Sequence, residues 1–313
     1  MSLGNVSNLG RVLDSGSFAV TVEIGPPRGP DIEALKRKIN LLKGVADAYN
    51  VTDNQTAVVR MSSIAASKII LDAGLEPVMQ MTCRDRNRIA LQSDLIGASA
   101  LGIRNCLCLS GDHQSAGASG KLKGHAGSKN VFDIDSIQLV SVLKGLRDDA
   151  KQESGDAVTH PTPFLIGAAW TPLAPPVSFR TIRLAKKINA GADFIQTQAV
   201  YDITKFKEAV ARARDMGLTD RAAILPGIIV PRSAMMLEYM HKNVPGVDVP
   251  EAIIKRMAAA PKENRVAIGI DIAVELIARV IEIPGIRGVH VQAIEAEEVL
   301  PEVIKRAGLL PRP

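Results

Sequence analysis

The chain has 313 residues, of which 46% are hydrophobic, 23% charged and only 3% aromatic. That suffices for one large domain or two medium ones, with Val, Ile, Leu and Ala filling the core. The net charge of +5 is scattered through helical segments rather than stacked in blocks, which speaks against a nucleic-acid surface and leaves a mild positive field suited to an anionic ligand such as a phosphate or a polyglutamate tail.

In chain order, the first apolar strand is expected at 18–23 and ends in Glu23, just before the rigid turn Gly25-Pro26-Pro27. Asp31 opens a helix at 31–43, and a strand at 46–52 ends in Thr52, Asp53 and Asn54. A helix at 58–73 is closed by Gly74 and leads to a strand at 76–82 carrying Gln80 and Thr82. Helix 86–100 and strand 103–109 follow, the strand ending in Ser110-Gly111-Asp112. The loop 110–133 is rich in Gly, Ser and Lys and is expected to be mobile; it is no P-loop, because Leu122 follows Gly120-Lys121. Helix 134–151 precedes a strand at 163–169 that runs into Ala168-Ala169-Trp170, the only Trp of the chain. Helix 178–190, strand 193–198 with Thr197 and Gln198, helix 202–216, and strand 222–229 with Pro226-Gly227 come next. Helices at 232–242, 250–259 and 262–281 precede the last strand, 287–292, which carries His290 and Gln292, and a helix at 295–307 closes the pattern.

The strands are continuous apolar runs rather than alternating ones, as strands buried on both faces are. Eight of them, each followed by helix, predict an α/β fold: a (β/α)8 TIM barrel with extra helices before the last strand, forming a single domain over 1–313. The rival, an open doubly wound sheet, lacks its Gly-rich dinucleotide fingerprint here. Cys83, Cys106 and Cys108 are too few and odd in number for a disulfide framework, which points to a reducing, cytoplasmic setting. His113, His125, His160, His241 and His290 form no zinc-ligand spacing, so no metal is expected. No basic region precedes an apolar run at the start of the chain, and no apolar stretch is long enough for a membrane span.

Active sites of such barrels lie where strands end and βα loops begin. The polar groups gathered there comprise two carboxylates, several amides and hydroxyls, and one flat aromatic. They include no metal box and no Ser–His or Cys–His pair. Such a set suits a planar, hydrogen-bonding heterocycle better than hydrolysis. Each residue alone has a plainer role: Asp112 as a turn residue, Gln80 as barrel filler, Thr52-Asp53-Asn54 as a helix cap, Trp170 as packing.

Several motifs together resemble the methylenetetrahydrofolate reductase family over nearly the whole chain: "VEIGPPR" at 22–28, "MTCRD" at 81–85, "LSGD" at 109–112, "KKINAGADFIQTQAVYD" at 186–202 and "LPGIIV" at 225–230. The resemblance implies a flavin-dependent oxidoreductase that reduces 5,10-methylenetetrahydrofolate to 5-methyltetrahydrofolate. Glu23 would be the general acid that protonates the departing nitrogen, with hydride from reduced FAD. Apolar Val22, Ile24 and Pro26 would raise the pKa of Glu23, the direction an acid at neutral pH requires. Asp112 would lie by the flavin ring and hydrogen-bond the pterin, and Gln198 would contact the folate. Thr52, Asp53, Gln80, Ser110, Gly111, Ala168, Trp170 and Lys187 would line the FAD site. Trp170 stands where the family has Tyr, and Ser110 replaces an Arg, so Arg180 and Arg183 are the candidates to supply charge to the FAD pyrophosphate. Met236 and Met240 stand where relatives have Gln and a stacking Phe in the substrate site, and "VHVQAIEAEE" at 289–298 departs from the family's "FHFYTLNR". These departures leave the reductant as NAD(P)H or an electron-transferring partner protein, such as a subunit with iron–sulfur and zinc centres, in an oligomer or hetero-complex. A folate-binding methyltransferase-type barrel, a flavin barrel of the proline dehydrogenase type and a non-catalytic barrel subunit are the alternatives.

Overall fold

A computed structural model describes residues 6–115, 124–125 and 127–312. Eight parallel strands close into a barrel in sequence order: β1 (Ala19–Ile24), β2 (Ala48–Val51), β3 (Pro77–Thr82), β4 (Asn105–Leu109), β5 (Leu165–Trp170), β6 (Phe194–Ala199), β7 (Ala223–Ile229) and β8 (Gly288–Gln292). The barrel expected from the sequence is thus the observed fold, and each strand falls within two residues of its expected start.

Helices wrap the strands. Before them comes α1 (Asn8–Asp14), which the sequence pattern does not announce because seven residues give too short a window for periodicity. The outer ring contains α2 (Ile32–Leu42), α3 (Ser63–Asp72), α4 (Arg88–Ala100), α5 (Ser136–Lys144), α6 (Val177–Ala190) and α7 (Ile203–Asp215). Then come α8 (Ala234–Asn243), α9 (Glu251–Ala259) and α10 (Arg265–Ile281), the extra helices before β8, and α11 (Leu300–Arg306) after it. Three expected helices are clearly shorter than their sequence pattern; the last, read from 295, becomes α-helical only at Leu300, after a 3₁₀ turn at Glu297–Val299. The helix read from 58 begins at Ser63, because Asn54, Thr56 and Ala57 take positive φ and Ser62 caps the helix through its hydroxyl. The helix read to 151 gives way after Lys144 to one π-type turn, Gly145–Asp149. Part of loop 110–133, residues 116–123 and 126, lies outside the described residues. Its return limb is tied to the end of β3 by Val131 N–H to Arg84 O at 2.8 Å and Phe132 N–H to Cys83 O at 3.2 Å.

Alternate strand residues face the helices and the barrel axis. The helix-facing set includes Val20, Val22, Met79, Met81, Cys106, Cys108, Ile166 and Ile195, all buried against the helix ring. The axial set forms layers. The lowest layer comprises Ala19, Ala48, Val78, Leu107, Leu165, Phe194 and Leu225, and Leu9, Val12 and Leu13 of α1 close it from below. Glu76 accepts from Asn8 N–H and, at 2.8 Å, from Leu9 N–H, satisfying the helix end nearest the barrel. Gly167 makes room for this layer: a Cβ there would lie 2.2 Å from the Phe194 ring.

Above it is a polar layer. Gln196 Nε2 donates to Thr21 Oγ1 and to Asn50 Oδ1, each at 3.0 Å, and Asn50 Nδ2 donates to Gln196 Oε1 at 2.6 Å. Thr21 Oγ1 lies 3.0 Å from His290 Nδ1. Burial lowers the His290 pKa to about 4, so the imidazole is neutral.

Gly167→Ala is expected to destabilise the barrel by about 1–3 kcal/mol through overpacking. Adding Phe194→Leu should recover part of that loss, both read by chemical denaturation.

Candidate active site

Glu23 ends β1 with its side chain on the axial face, two residues above Thr21. It is half-buried, and desolvation is the main cause that raises its pKa from an ordinary 4.5 to about 7. Gln292 Nε2 donates to Glu23 Oε2 at 2.8 Å and opposes that rise. Glu297 adds to it, while Lys38 and Arg60 lower it.

The turn after Glu23 is held carbonyl by carbonyl. Lys38 on α2 donates to Gly25 O at 3.2 Å and pairs with Glu297. Arg60 Nη1 donates to Pro26 O at 3.0 Å, and Met61 N–H donates to Pro27 O at 2.9 Å. The prolines fix φ, and these three donors fix the turn's place.

The rims of β2, β3 and β4 form a second sector. Asp53 is buried, and its Oδ2 accepts from Thr82 N–H and Thr82 Oγ1 at 2.9 Å each and from Arg86 Nη1 at 2.7 Å. Arg84, also buried, forks onto Asp85 with two contacts of 2.7 Å and donates to Asn54 O at 3.0 Å and Asp112 O at 3.2 Å. It ties three loop ends together. Gly111 has φ +87, and a Cβ there would lie 3.0 Å from Arg84 Cβ and 3.1 Å from Thr82 Cβ, so only glycine lets the β4 rim approach β3 this closely.

The residues singled out from the sequence divide into three groups. The first keeps free hydrogen-bonding capacity at the mouth. Thr52 Oγ1 is buried with no hydrogen-bond partner among the described residues. Gln80 is half-buried on the axial face of β3, two residues above Val78, and forms no side-chain hydrogen bond among the described residues. At an irregularity between Gln196 and Ala199, Gln198 folds its Oε1 onto Ala199 N–H at 3.0 Å, leaving its amide hydrogens unused among the described residues. Asp112 is exposed, its carbonyl held by Arg84. Lys187 donates to Ala169 O and has no carboxylate at ion-pair distance among the described residues. Burial and the neighbouring Arg183 lower its pKa to about 8.

The second group is engaged in holding the rim. Asp53 is committed to Thr82 and Arg86, and Ser110 Oγ accepts from Ser136 N–H at the start of α5, at 3.2 Å. Arg180 spends its guanidinium on Ala174 O at 2.9 Å and Pro175 O at 2.7 Å, whereas Arg183 lies 3.7 Å from Asp135. Of the two arginines considered for the pyrophosphate, Arg180 is a loop staple.

The third group turns away from the mouth. Ala168 and Trp170 share the parity of Ile166 and pack into the layer between strands and helices. Trp170 is only 3% exposed and donates through Nε1 to Arg180 O at 3.1 Å, so its ring has no face to offer a heterocycle. Met240, 5% exposed, is a core residue of α8, while Met236 is half-buried against that core. Arg84, Arg86, Lys38 and Arg60 join the site without being expected there, and Gln292, expected only as a polar group at the end of the last strand, proves to be the partner of Glu23. The signal for Arg84 and Arg86 was the charged run in "MTCRDRN" after an apolar strand; that for Gln292 appears only once β8 pairs with β1.

The fold and rim define an α/β barrel with a half-buried carboxyl group of raised pKa at its C-terminal mouth. Within that class, the family model for methylenetetrahydrofolate reductase matches residues 8–308, and the chain belongs to this family. Among similar proteins, a probable methylenetetrahydrofolate reductase (NADPH) of Caenorhabditis elegans is 24% identical over 315 aligned residues, 96% of this chain and 43% of that protein. Methylenetetrahydrofolate reductase 2 of Schizosaccharomyces pombe is 26% identical over 74% of this chain and 36% of that protein. The chain therefore matches less than half the length of either. A Clostridium thermocellum protein of solved structure, which binds two copies of 5-methyl-5,6,7,8-tetrahydrofolic acid, shares the fold with a TM-score of 0.62 at 17% identity, covering 95% of this chain and 99% of that one.

Two outcomes follow from the ion-pair and burial geometry. Asp53→Asn should cost about 3–5 kcal/mol of stability by leaving Arg86 without its buried partner, measured by denaturant unfolding. Because folding raises the Glu23 pKa, the stability it contributes is full below about pH 4.5 and is lost as pH rises through about 7. Glu23→Gln should therefore be more stable than the parent at pH 8, by about 2 kcal/mol at this partly solvated mouth, with the difference vanishing below about pH 4.5.

Proposed function

We propose that this chain reduces 5,10-methylenetetrahydrofolate to 5-methyltetrahydrofolate in a flavin-dependent reaction, with Glu23 as the general acid. The observation that carries the reading is the half-buried carboxyl of Glu23, kept near neutral pKa at the mouth of a barrel of this family. At neutral pH a sizeable fraction of it carries a proton, which it delivers to the ring nitrogen that leaves when the methylene bridge opens. The Pro-Pro turn, anchored at three carbonyls, keeps the acid from swinging toward solvent.

The mouth suits FAD. The orphaned Thr52 hydroxyl, the Gln80 amide, the Gly111 backbone and the uncompensated Lys187, with Arg183 beside it, offer hydrogen bonds and positive charge to a polar ring and an anionic linker. When bound in reduced form, FAD supplies the hydride. Asp112 and Gln198 would orient the pterin. Gln198 has spare amide hydrogens, and Asp112 stands on a rim fixed by Arg84. The reductant is NAD(P)H or an electron-transferring partner protein, and the site is assigned to a cytoplasmic enzyme.

A folate-binding barrel without redox chemistry is the second reading, favoured by the methyltetrahydrofolate-binding Clostridium neighbour. One experiment separates the two. Purified protein is loaded with FAD, reduced anaerobically and mixed with methylenetetrahydrofolate. Return of the oxidised flavin spectrum is expected, slowing about tenfold per pH unit above about pH 7 as Glu23 ionises. Glu23→Gln should bind folate yet reoxidise at least 100-fold more slowly, roughly the contribution of a general acid. No FAD binding, or no folate-dependent reoxidation, overturns the reductase reading. NADH and NADPH tested in the same cuvette identify the donor.

A further inference from the structure

The two oxygens of Glu23 have different surroundings. Oε2 accepts from Gln292 Nε2 at 2.8 Å, while Oε1 has no hydrogen-bond partner among the described residues. The contact is built into the barrel seam. Thr21 pairs in register with His290 across β1 and β8, which places Glu23 and Gln292 one pleat repeat higher, about 6.6 Å up the strands. The Gln292 backbone is fixed in turn by Val230 N–H, which donates to its carbonyl at 2.9 Å. Its side-chain oxygen has no hydrogen bond among the described residues. Turning the amide over would bring that oxygen against Glu23 Oε2, which is repulsive unless Oε2 itself carries the proton.

We propose that Gln292 is a positioning residue for the acid: by donating to Oε2 it directs the transferable proton of Glu23 to Oε1. In the acid form Oε2 is then the carbonyl oxygen and accepts from the amide. When the proton leaves, the Oε1–H bond breaks, the substrate nitrogen gains the proton, and the same amide donates to the resulting carboxylate. Gln292 neither gains nor loses a proton. Its hydrogen bond strengthens as the carboxylate forms, which eases proton release. No cation competes for this role. Lys38 is committed to Glu297 and Gly25 O, Arg60 to Pro26 O, His290 in the layer below is neutral, and Glu297 is the carboxylate among the described residues that raises the Glu23 pKa.

This inference rests on Glu23 being the acid of the proposed reaction, and its test keeps the two apart. The Glu23 carboxyl is titrated by carbon-13 NMR in the full chain, assigned by its loss in Glu23→Gln, for the parent, Gln292→Met and Gln292→Asn. In parallel, the pH profile of flavin reoxidation by methylenetetrahydrofolate is recorded. Both variants should shift the Glu23 titration and the alkaline limb upward by about one pH unit. They should also lower the turnover of the protonated enzyme about tenfold, with KM nearly unchanged. A titration that stays in place in a folded variant means Gln292 only packs, and one that moves down means the amide accepts the proton of Oε2; either overturns the proposal. Absence of folate-dependent reoxidation in the parent overturns the reductase reading instead, and leaves the titration to decide on Gln292.

Discussion

A carboxyl group taken out of water holds its proton more tightly, and the mouth of this barrel is arranged so that nothing undoes that effect at Glu23. The rise from 4.5 to about 7 corresponds, at this partly solvated mouth, to about 2 kcal/mol of preference for the neutral form. One cation at contact distance would be worth about 4 kcal/mol at an effective dielectric of 20, enough to cancel it. Two cations do stand close by. Lys38 is diverted to Glu297 and to the Gly25 carbonyl, and Arg60 to the Pro26 carbonyl. They stiffen the turn while their charge acts on Glu23 only from a distance. The same side chains thus fix where the acid stands without making it a permanent carboxylate.

Across the mouth the logic is reversed. The rims of β2 to β4 carry Asp53, Arg84, Asp85 and Arg86 in mutually satisfied pairs, so these charges are spent on holding backbone. Asp53 reaches Thr82, and Arg84 reaches the carbonyls of Asn54 and Asp112. What remains unspent lies further inside or round the rim: the Thr52 hydroxyl and the half-buried Lys187 ammonium, which donates to the Ala169 carbonyl, has Arg183 beside it and feels Asp135 only beyond ion-pair distance. A buried cation without a carboxylate is costly unless an anion joins it. One sector therefore keeps an acid neutral, and another holds a positive charge in want of a partner, the division expected of a mouth that binds an anionic cofactor beside a proton-transfer step.

Most of this architecture was legible in the sequence, because strands buried on both faces must be written as apolar runs. The position of Glu23 was legible for the same reason: a carboxylate ending such a run before Pro-Pro has few structural uses. Side-chain direction was not. Ala168, Ala169 and Trp170 sit together at the end of β5, but a one-residue step reverses the face. Trp170 consequently packs under α6 and bonds Arg180 O. Arg180 reads in the sequence as an available charge and is consumed by the carbonyls of Ala174 and Pro175, in the loop just before its own helix. Gln292 lies 269 positions from Glu23 in the chain, so their contact exists only because the barrel closes. The helix α1 was hidden by its brevity, its weight lying in what it covers.

That cover connects the floor of the barrel to the chemistry at its top. Desolvation at Glu23 needs a dry side, and the barrel supplies it from below. Leu9, Val12 and Leu13 close the bottom around Phe194, and the layer above them, Thr21, Asn50, Gln196 and His290, bonds within itself. A polar layer with open valences would draw water up to the acid. A layer bonded within itself, with its histidine neutral, separates the apolar plug from the carboxyl while adding no charge beneath it. With the floor closed in this way, water reaches Glu23 from the side of the mouth, and a ligand filling the mouth would displace water that favours the ionised form.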